Sequence, residues 1–262
     1  MTPESPTDPP LQTTRLRGGR FAWCESGTGP TVVAVHGAPG SGRDFRWLAS
    51  AVPGLRLVRL DMPGYGRSDW ASGPGYSLTA RARFVLQATE ALGIQRFTAL
   101  GHSQGGGVAT AAAVLAPDRV ERLALVASIG RRVHRGFQRS RVREFAALLS
   151  VPGLPHLLRD RLEQGFAAAG FPTSLTHEQR LLTMKSSGRI SFRAHRRNLA
   201  RLRCPTLVAW AANDRLVEDA IGEDLATCVP EGPRLRFESG GHNLQKTEAV
   251  ELGEALVRFV LG

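Results

Sequence analysis

Three residues spread along the chain have the side-chain types that nucleophilic catalysis requires: Ser103, Asp214 and His242. Ser103 sits in Gly101-His102-Ser103-Gln104-Gly105, directly after the apolar run 97–100 and directly before the small-residue run 106–113. That context reads as strand, sharp turn, helix. A serine at such a turn presents its hydroxyl above a sheet end and at the positive end of a helix. The glycines let two chain segments pass closer than a Cβ would permit. A serine hydroxyl is a poor nucleophile at neutral pH. It needs a base within hydrogen-bond reach, and the base needs an orienting acid. In a chain with 29 glycines the five-residue pattern arises easily by chance, so its flanks and partners carry the weight.

Seven histidines compete for the base role. His102 adjoins Ser103, but at a sharp turn their side chains point apart. His36 follows a strand and precedes Gly37, which suits a loop brace. His134, His156, His177 and His195 fall in a separate basic segment and read as surface or structural residues. His242 remains, in Ser239-Gly240-Gly241-His242-Asn243, after the strand-like run 235–237 and before the last helix. For the acid, Asp214 follows the apolar run 206–210 through Ala211-Ala212-Asn213. Glu218 and Asp219 open the next helix, where acids favour the dipole. Asp61, before Met62-Pro63-Gly64-Tyr65-Gly66, reads as a turn-stabilising carboxylate. The chain order Ser103, Asp214, His242 is that of one particular serine hydrolase fold. An oxyanion hole needs backbone N–H donors. Gln104 supplies one at the helix start, and Ala38 in His36-Gly37-Ala38-Pro39-Gly40-Ser41 supplies the other, since Pro39 has no N–H.

The elements that must hold these residues are short apolar runs alternating with helical stretches. Runs 31–35, 55–60, 97–100, 123–126 and 206–210 lack polar alternation, as strands buried on both faces do. Ser77 suits the cap of a helix carrying Phe84, Val85, Ala88 and Leu92 on one face and stopped by Gly93. A small-residue helix over 106–116 ends at Pro117, and a final amphipathic helix carries Val250, Leu252, Leu256, Phe259 and Val260. Residues 15–25 suit an antiparallel hairpin around Gly18-Gly19. Alternation of this kind predicts a mostly parallel, doubly wound eight-stranded α/β sheet with ligands at the carboxyl ends of its strands. Residues 130–203 break the alternation with helical pieces at 141–150, 157–169 and 177–185, and are expected to form a helical cap inserted over the strand ends. The core then comprises 11–129 and 204–262, preceded by a proline-rich loose tail, 1–10.

The segments H-G-A-P-G-S (36–41), D-M-P-G-Y-G-R-S-D (61–69), G-H-S-Q-G-G (101–106), W-A-A-N-D (210–214) and G-G-H-N (240–243) together resemble the α/β-hydrolase superfamily, in its order and over nearly the whole core. The resemblance implies Ser103 as nucleophile, His242 as base, Asp214 as orienting acid, and Ala38 and Gln104 as oxyanion donors. Haloalkane dehalogenases and epoxide hydrolases of this superfamily carry aspartate where this chain has Ser103, which speaks against those activities. The chain lacks the proline that relatives often carry in Glu-x-Pro at the final helix, here Glu248-Ala249-Val250.

Composition bounds the rest. At 42% hydrophobic and 22% charged, 262 residues suit one soluble domain with an insertion, expected in the cytoplasm. No apolar run is long enough for a membrane span, and the start lacks the features of a signal peptide. Three widely spaced cysteines, Cys24, Cys204 and Cys228, suggest neither zinc nor disulfides, and neither metal nor cofactor is expected. The formal charge of +11 lies in residues 131–203, where 16 basic residues face four acids. A solvated surface is the plainer reading; attraction of an anionic small-molecule substrate is the sharper one. No nucleic-acid-binding motif accompanies the charge, and oligomeric state is left open. The expected activity is carboxylesterase-like hydrolysis of an ester or related acyl bond. Alternatives are a carbon–carbon bond hydrolase, lactonase or perhydrolase, or a non-catalytic ligand-binding protein of the same fold.

Overall fold

Strands with apolar residues at every position must be covered on both sides, and here two separate apolar layers cover them. The computed structural model describes residues 7–69, 75–139 and 141–262. Eight strands, β1 (Gln12–Leu16), β2 (Gly19–Ser26), β3 (Thr31–Val35), β4 (Arg56–Leu60), β5 (Phe97–His102), β6 (Val120–Val126), β7 (Thr206–Ala211) and β8 (Arg234–Phe237), form one sheet. Their order is β1-β2-β4-β3-β5-β6-β7-β8. The hairpin expected around Gly18-Gly19 is present, and β2 also runs antiparallel to β4. All later neighbours are parallel.

Alternate residues of each inner strand feed opposite layers. Val33, Val35, Ala99, Leu123 and Leu125 pack in one. Val32, Ala34, Leu100, Ala124 and Val126 pack in the other. Helices α1 (Arg46–Ser50), α2 (Leu78–Ala91) and α3 (Gln104–Leu115) follow the first strands. Ser77 caps α2 by accepting from the Ala80 N–H, and Gly93 ends it at φ 69°. The first layer takes Phe84, Val85 and Ala88 of α2 and the small residues of α3.

Between β6 and β7 the described residues form six helices: α4 (Arg135–Arg139), α5 (Val142–Leu148), α6 (Leu154–Leu157), α7 (Arg159–Ala168), α8 (His177–Gly188) and α9 (Phe192–Leu199). Two of them, α5 and α7, lie within the stretches expected from sequence, and α8 covers the third and runs three residues beyond it. α9 eluded the reading because its buried side is only Phe192, His195 and Leu199, set among arginines. The chain closes with α10 (Asp219–Cys228), α11 (Leu244–Thr247) and α12 (Ala249–Leu261).

The expected loose tail needs amending at its inner end. Residues 1–6 lie outside the described residues, but the Asp8 carboxylate meets Arg59 Nη1 at 2.6 Å and Arg43 Nε at 3.2 Å. The Arg59 side chain is fully buried, and a buried guanidinium without a counter-charge is costly enough to hold Asp8 in place.

Candidate active site

Register brings the strand ends to one level. Val35 pairs with both Leu60 and Gly101, His102 with Val126, and Val126 with Ala209. The loops that leave these strands, at His36, Asp61, Ser103 and beyond Ala211, therefore emerge side by side. Ser103 turns the chain from β5 into α3 at φ 54°, ψ −121°, a conformation that costs a non-glycine residue about 1–3 kcal/mol. Three backbone hydrogen bonds enforce it: Ser103 N–H donates to the Val126 carbonyl, and the Ser103 carbonyl accepts from Gly106 and Ile129. The turn also needs Gly105, because a Cβ there would stand 2.2 Å from the Val35 carbonyl oxygen.

His242 Nε2 lies 2.9 Å from Ser103 Oγ, and His242 Nδ1 lies 2.7 Å from Asp214 Oδ2. The other carboxylate oxygen of Asp214 accepts the N–H groups of Leu216 (2.7 Å) and Val217 (3.0 Å). Burial pushes the Asp214 carboxyl up, but the His242 hydrogen bond and charge and the two backbone donors outweigh it, holding the group below the usual carboxylate range. Ser103, Asp214 and His242, 111 and 28 residues apart along the chain, thus form one hydrogen-bonded series.

The loop carrying Ala38 flanks the turn: a Cβ on Gly37 would lie 3.1 Å from Ser103 Cβ. Gln104 is the first residue of α3, where backbone N–H groups have no partner within the helix. His36 braces this loop. Its Nδ1 donates to the Gly37 carbonyl (2.6 Å) and its Nε2 accepts from the Met62 N–H (2.9 Å). Burial lowers its pKa to about 4, so it remains neutral in that role. Asp61 ties the neighbouring loop, accepting from the Gly42 N–H (2.7 Å) and the Arg67 N–H (2.8 Å). The His102 ring lies 4.9 Å from that of His242, and its Nε2 is 2.7 Å from the His242 carbonyl oxygen, a contact that steadies the backbone of the base candidate. Burial lowers its pKa to about 3.

Several neighbours of Ser103 escaped the sequence reading. Arg81 of α2 donates from Nη1 to Gln104 Oε1 at 2.9 Å, and its guanidinium carbon lies 5.6 Å from the centre of the Tyr65 ring. Tyr65 in turn hydrogen-bonds to Thr183 of α8 across 3.1 Å. Thr183 spends its own proton on the Gln179 carbonyl, so the Tyr65 O–H donates. The signal for Arg81 was its spacing: it stands three, four and seven residues before Phe84, Val85 and Ala88, on the apolar stripe of α2. By contrast, the basic segment faces water. Apart from Arg139, whose side chain is outside the description, its arginines are exposed except Arg180, which is buried against Glu163 and the Thr173 carbonyl. Arg131 pairs with Asp224. Among the described residues no cluster of His, Cys, Asp and Glu is placed to hold a metal ion, and no helix is long and apolar enough to cross a membrane.

Comparison with known proteins places this geometry in a family. A 2-hydroxy-6-oxononadienedioate/2-hydroxy-6-oxononatrienedioate hydrolase of Cupriavidus pinatubonensis is 26% identical over 251 residues, covering 88% of this chain and 86% of that protein. Haloalkane dehalogenase 2 of Mycobacterium tuberculosis is 33% identical over 108 residues, covering 41% of this chain. The crystal structure of a bromoperoxidase from Bacillus anthracis superposes with a TM-score of 0.77 at 20% identity, covering 97% of this chain and all of that one; at that identity the likeness speaks for fold alone. The family model for the alpha/beta hydrolase fold matches residues 30–249. With the eightfold sheet, its strand order and this span of sequence in agreement, the chain belongs to the alpha/beta hydrolase fold family.

Proposed function

We propose that the protein is a serine hydrolase that cleaves an ester or related acyl bond of a small molecule through Ser103, His242 and Asp214. The observation that carries this reading is the unbroken series of contacts at 2.9 and 2.7 Å from Ser103 Oγ through the His242 ring to a buried carboxylate. Asp214 accepts the Nδ1 proton and so leaves Nε2 as the basic nitrogen facing the hydroxyl. As Ser103 Oγ attacks the acyl carbon, Nε2 takes its proton and Asp214 stabilises the imidazolium. Charge that develops on the acyl oxygen is met by the N–H groups of Ala38 and Gln104, each worth about 3–4 kcal/mol of barrier. His242 then gives its proton to the leaving group, an acyl ester of Ser103 remains, and a water activated by the same nitrogen releases the acid. The helices inserted between β6 and β7, residues 130–203 in our assignment, act as a cap over this site, and the protein acts in the cytoplasm.

A serine at this turn also argues against halide displacement. Attack by a carboxylate on an alkyl halide gives an ester that water can open; attack by Ser103 would give an ether that water cannot. The likeness to the Cupriavidus hydrolase over most of both chains favours one second reading, carbon–carbon bond hydrolysis with the same three residues. A fluorophosphonate probe tests the shared core of both. Covalent labelling of the wild-type protein, lost in Ser103→Ala, is expected; absence of labelling on protein shown to be folded overturns the proposal. A panel of p-nitrophenyl esters beside a ring-cleavage dienoate then separates the two readings.

A further inference from the structure

Arg81 is out of keeping with its surroundings. It lies on the apolar stripe of α2, is only 6% exposed, and has no carboxylate partner among the described residues. The other deeply buried arginines, Arg59 and Arg180, each face a carboxylate, Asp8 and Glu163. A guanidinium carries five N–H donors and a charge, and burying it against a neutral amide and an aromatic ring compensates little of its lost hydration. The groups that face Arg81 are all neutral: Gln104 through Oε1, the Tyr65 ring, and His36, whose ring burial keeps uncharged. Burial pulls the arginine's own pKa down.

Its location supplies the reason for such an arrangement. Gln104 immediately follows Ser103, and its side chain, 4% exposed, uses Oε1 for Arg81 and leaves Nε2 buried with no hydrogen-bond partner. Two deeply buried donor groups, a guanidinium and an amide N–H₂, therefore lie one hydrogen bond apart, and the amide belongs to the residue next to the nucleophile. Both are donors: Arg81 has the Gln104 Oε1 as acceptor but no counter-charge among the described residues, the Gln104 Nε2 has no acceptor, and the planar fork of a guanidinium fits the two oxygens of a carboxylate. Tyr65 has its ring centre 5.6 Å from the Arg81 guanidinium carbon while its hydroxyl holds Thr183 of α8, which links this pair to the inserted helices.

We propose that Arg81 and the Gln104 amide bind a carboxylate at the far end of the substrate's acyl chain, so that the preferred substrates are acyl compounds carrying a second, anionic group a few methylenes from the bond that Ser103 attacks. This rests on the hydrolytic role of Ser103 and narrows it to a substrate class. It also relocates the recognition of negative charge: the exposed arginines of residues 131–203 steer at most, whereas the residue that grips is in the core.

The test compares p-nitrophenyl hemi-esters of succinate, glutarate and adipate with the neutral p-nitrophenyl esters of matching length. Wild-type protein is expected to show a higher kcat/KM for one of the hemi-esters than for its neutral counterpart, and Arg81→Met to lower that ratio by about 100-fold, the scale of removing one partner from a desolvated charge pair. Should Arg81→Met not fold, Arg81→Lys keeps the charge but loses the two-point fork and is expected to lower the ratio at least fivefold. If Arg81 merely positions Gln104, rates on charged and neutral esters fall together and the ratio stays constant, which overturns the inference while leaving the hydrolase reading intact. Binding is read independently of turnover on Ser103→Ala by calorimetry with monomethyl glutarate. At least a tenfold weaker Kd in Ser103→Ala/Arg81→Met supports the site even if no ester is turned over, and equal affinity in the two proteins rejects it.

Discussion

Replacing Asp214 by asparagine isolates the electrostatic work of one buried oxygen pair. In the wild type Oδ1 serves the Leu216 and Val217 N–H groups at 2.7 and 3.0 Å, and Oδ2 takes the His242 Nδ1–H at 2.7 Å. Asparagine has a single oxygen, and the two backbone donors claim it. Turning the amide the other way would strand both donors against an N–H₂ group, at about 1–3 kcal/mol each. The amide nitrogen therefore faces His242 and donates to Nδ1, which forces the ring proton onto Nε2. That nitrogen then offers Ser103 a hydrogen where it must offer a lone pair. The expected loss in kcat is about 10⁴-fold, close to 5.5 kcal/mol of barrier. The measurement is steady-state hydrolysis of a p-nitrophenyl ester that the wild type turns over, with urea unfolding to show that the variant is folded. Adding Ser103→Ala to Asp214→Asn should cost little beyond Ser103→Ala alone, because the residues act as a unit. An Asp214→Asn protein that keeps kcat within tenfold of the wild type would refute the assignment of the orienting acid.

Other outcomes follow from the packing and the buried charges. Gly105→Ala pushes a Cβ to 2.2 Å from the Val35 carbonyl oxygen and 2.6 Å from that of His36, where backbone cannot yield; a loss of about 3 kcal/mol in urea unfolding is expected. Asp8→Ala leaves the fully buried Arg59 side chain without its counter-charge and should cost about 3 kcal/mol, as should deletion of residues 1–10; stability within 0.5 kcal/mol of wild type would show that the contact is incidental. Burial lowers the pKa of His36 and His195 to about 4 and of His102 to about 3. Since each binds its proton more weakly folded than unfolded, its stabilisation is present above pH 6.5 and is lost as pH falls toward those values. Between pH 6.5 and 5 each histidine accounts for about 2 kcal/mol. Asp44, pushed up to about 6 by burial, takes up a proton on folding and opposes the loss below pH 6 by about 1 kcal/mol. Urea midpoints at pH 7 and pH 5 measure the sum, and His195→Gln should flatten the profile by about one histidine's share.

What could be read from the chain differs by residue for physical reasons. Ser103, His242 and Asp214 were legible because each ends a strand-plus-loop segment whose apolar run is unmistakable, and because a parallel sheet sends all such ends to one edge. The relay distances between them were not legible, since they depend on how loops of different length fold back over that edge. α9 was hidden because a helix that buries one residue per turn among arginines looks like a charged stretch. Arg81 was hidden for the opposite reason: the helix carrying it was found, but an arginine amid alanines reads as surface until its partner Gln104 is seen across the gap. Asp8 lay within a proline-rich start whose composition describes a loose chain, and the buried Arg59, 51 residues away, holds it down together with Arg43.

The six inserted helices leave the sheet from β6 and return to it through β7, and those two strands are hydrogen-bonded neighbours, Val126 beside Ala209. The ends of the excursion are therefore fixed a strand's width apart whatever lies between them. Closing a longer excursion there costs only about 0.6 kcal/mol for each doubling of its length, while Ser103, Asp214 and His242 are anchored in strands and loops outside it. On the proposed reading of this segment as a cap, reshaping its middle helices would change which molecules fit above the serine while the strands that anchor the three residues stay as they are. The segment is tied to the loop after Asp214 by the Gly136 N–H and the His134 ring on the Leu216 carbonyl, and to the loop after β4 by the Tyr65 hydroxyl on Thr183, the point at which a change in α8 would be felt beside Arg81.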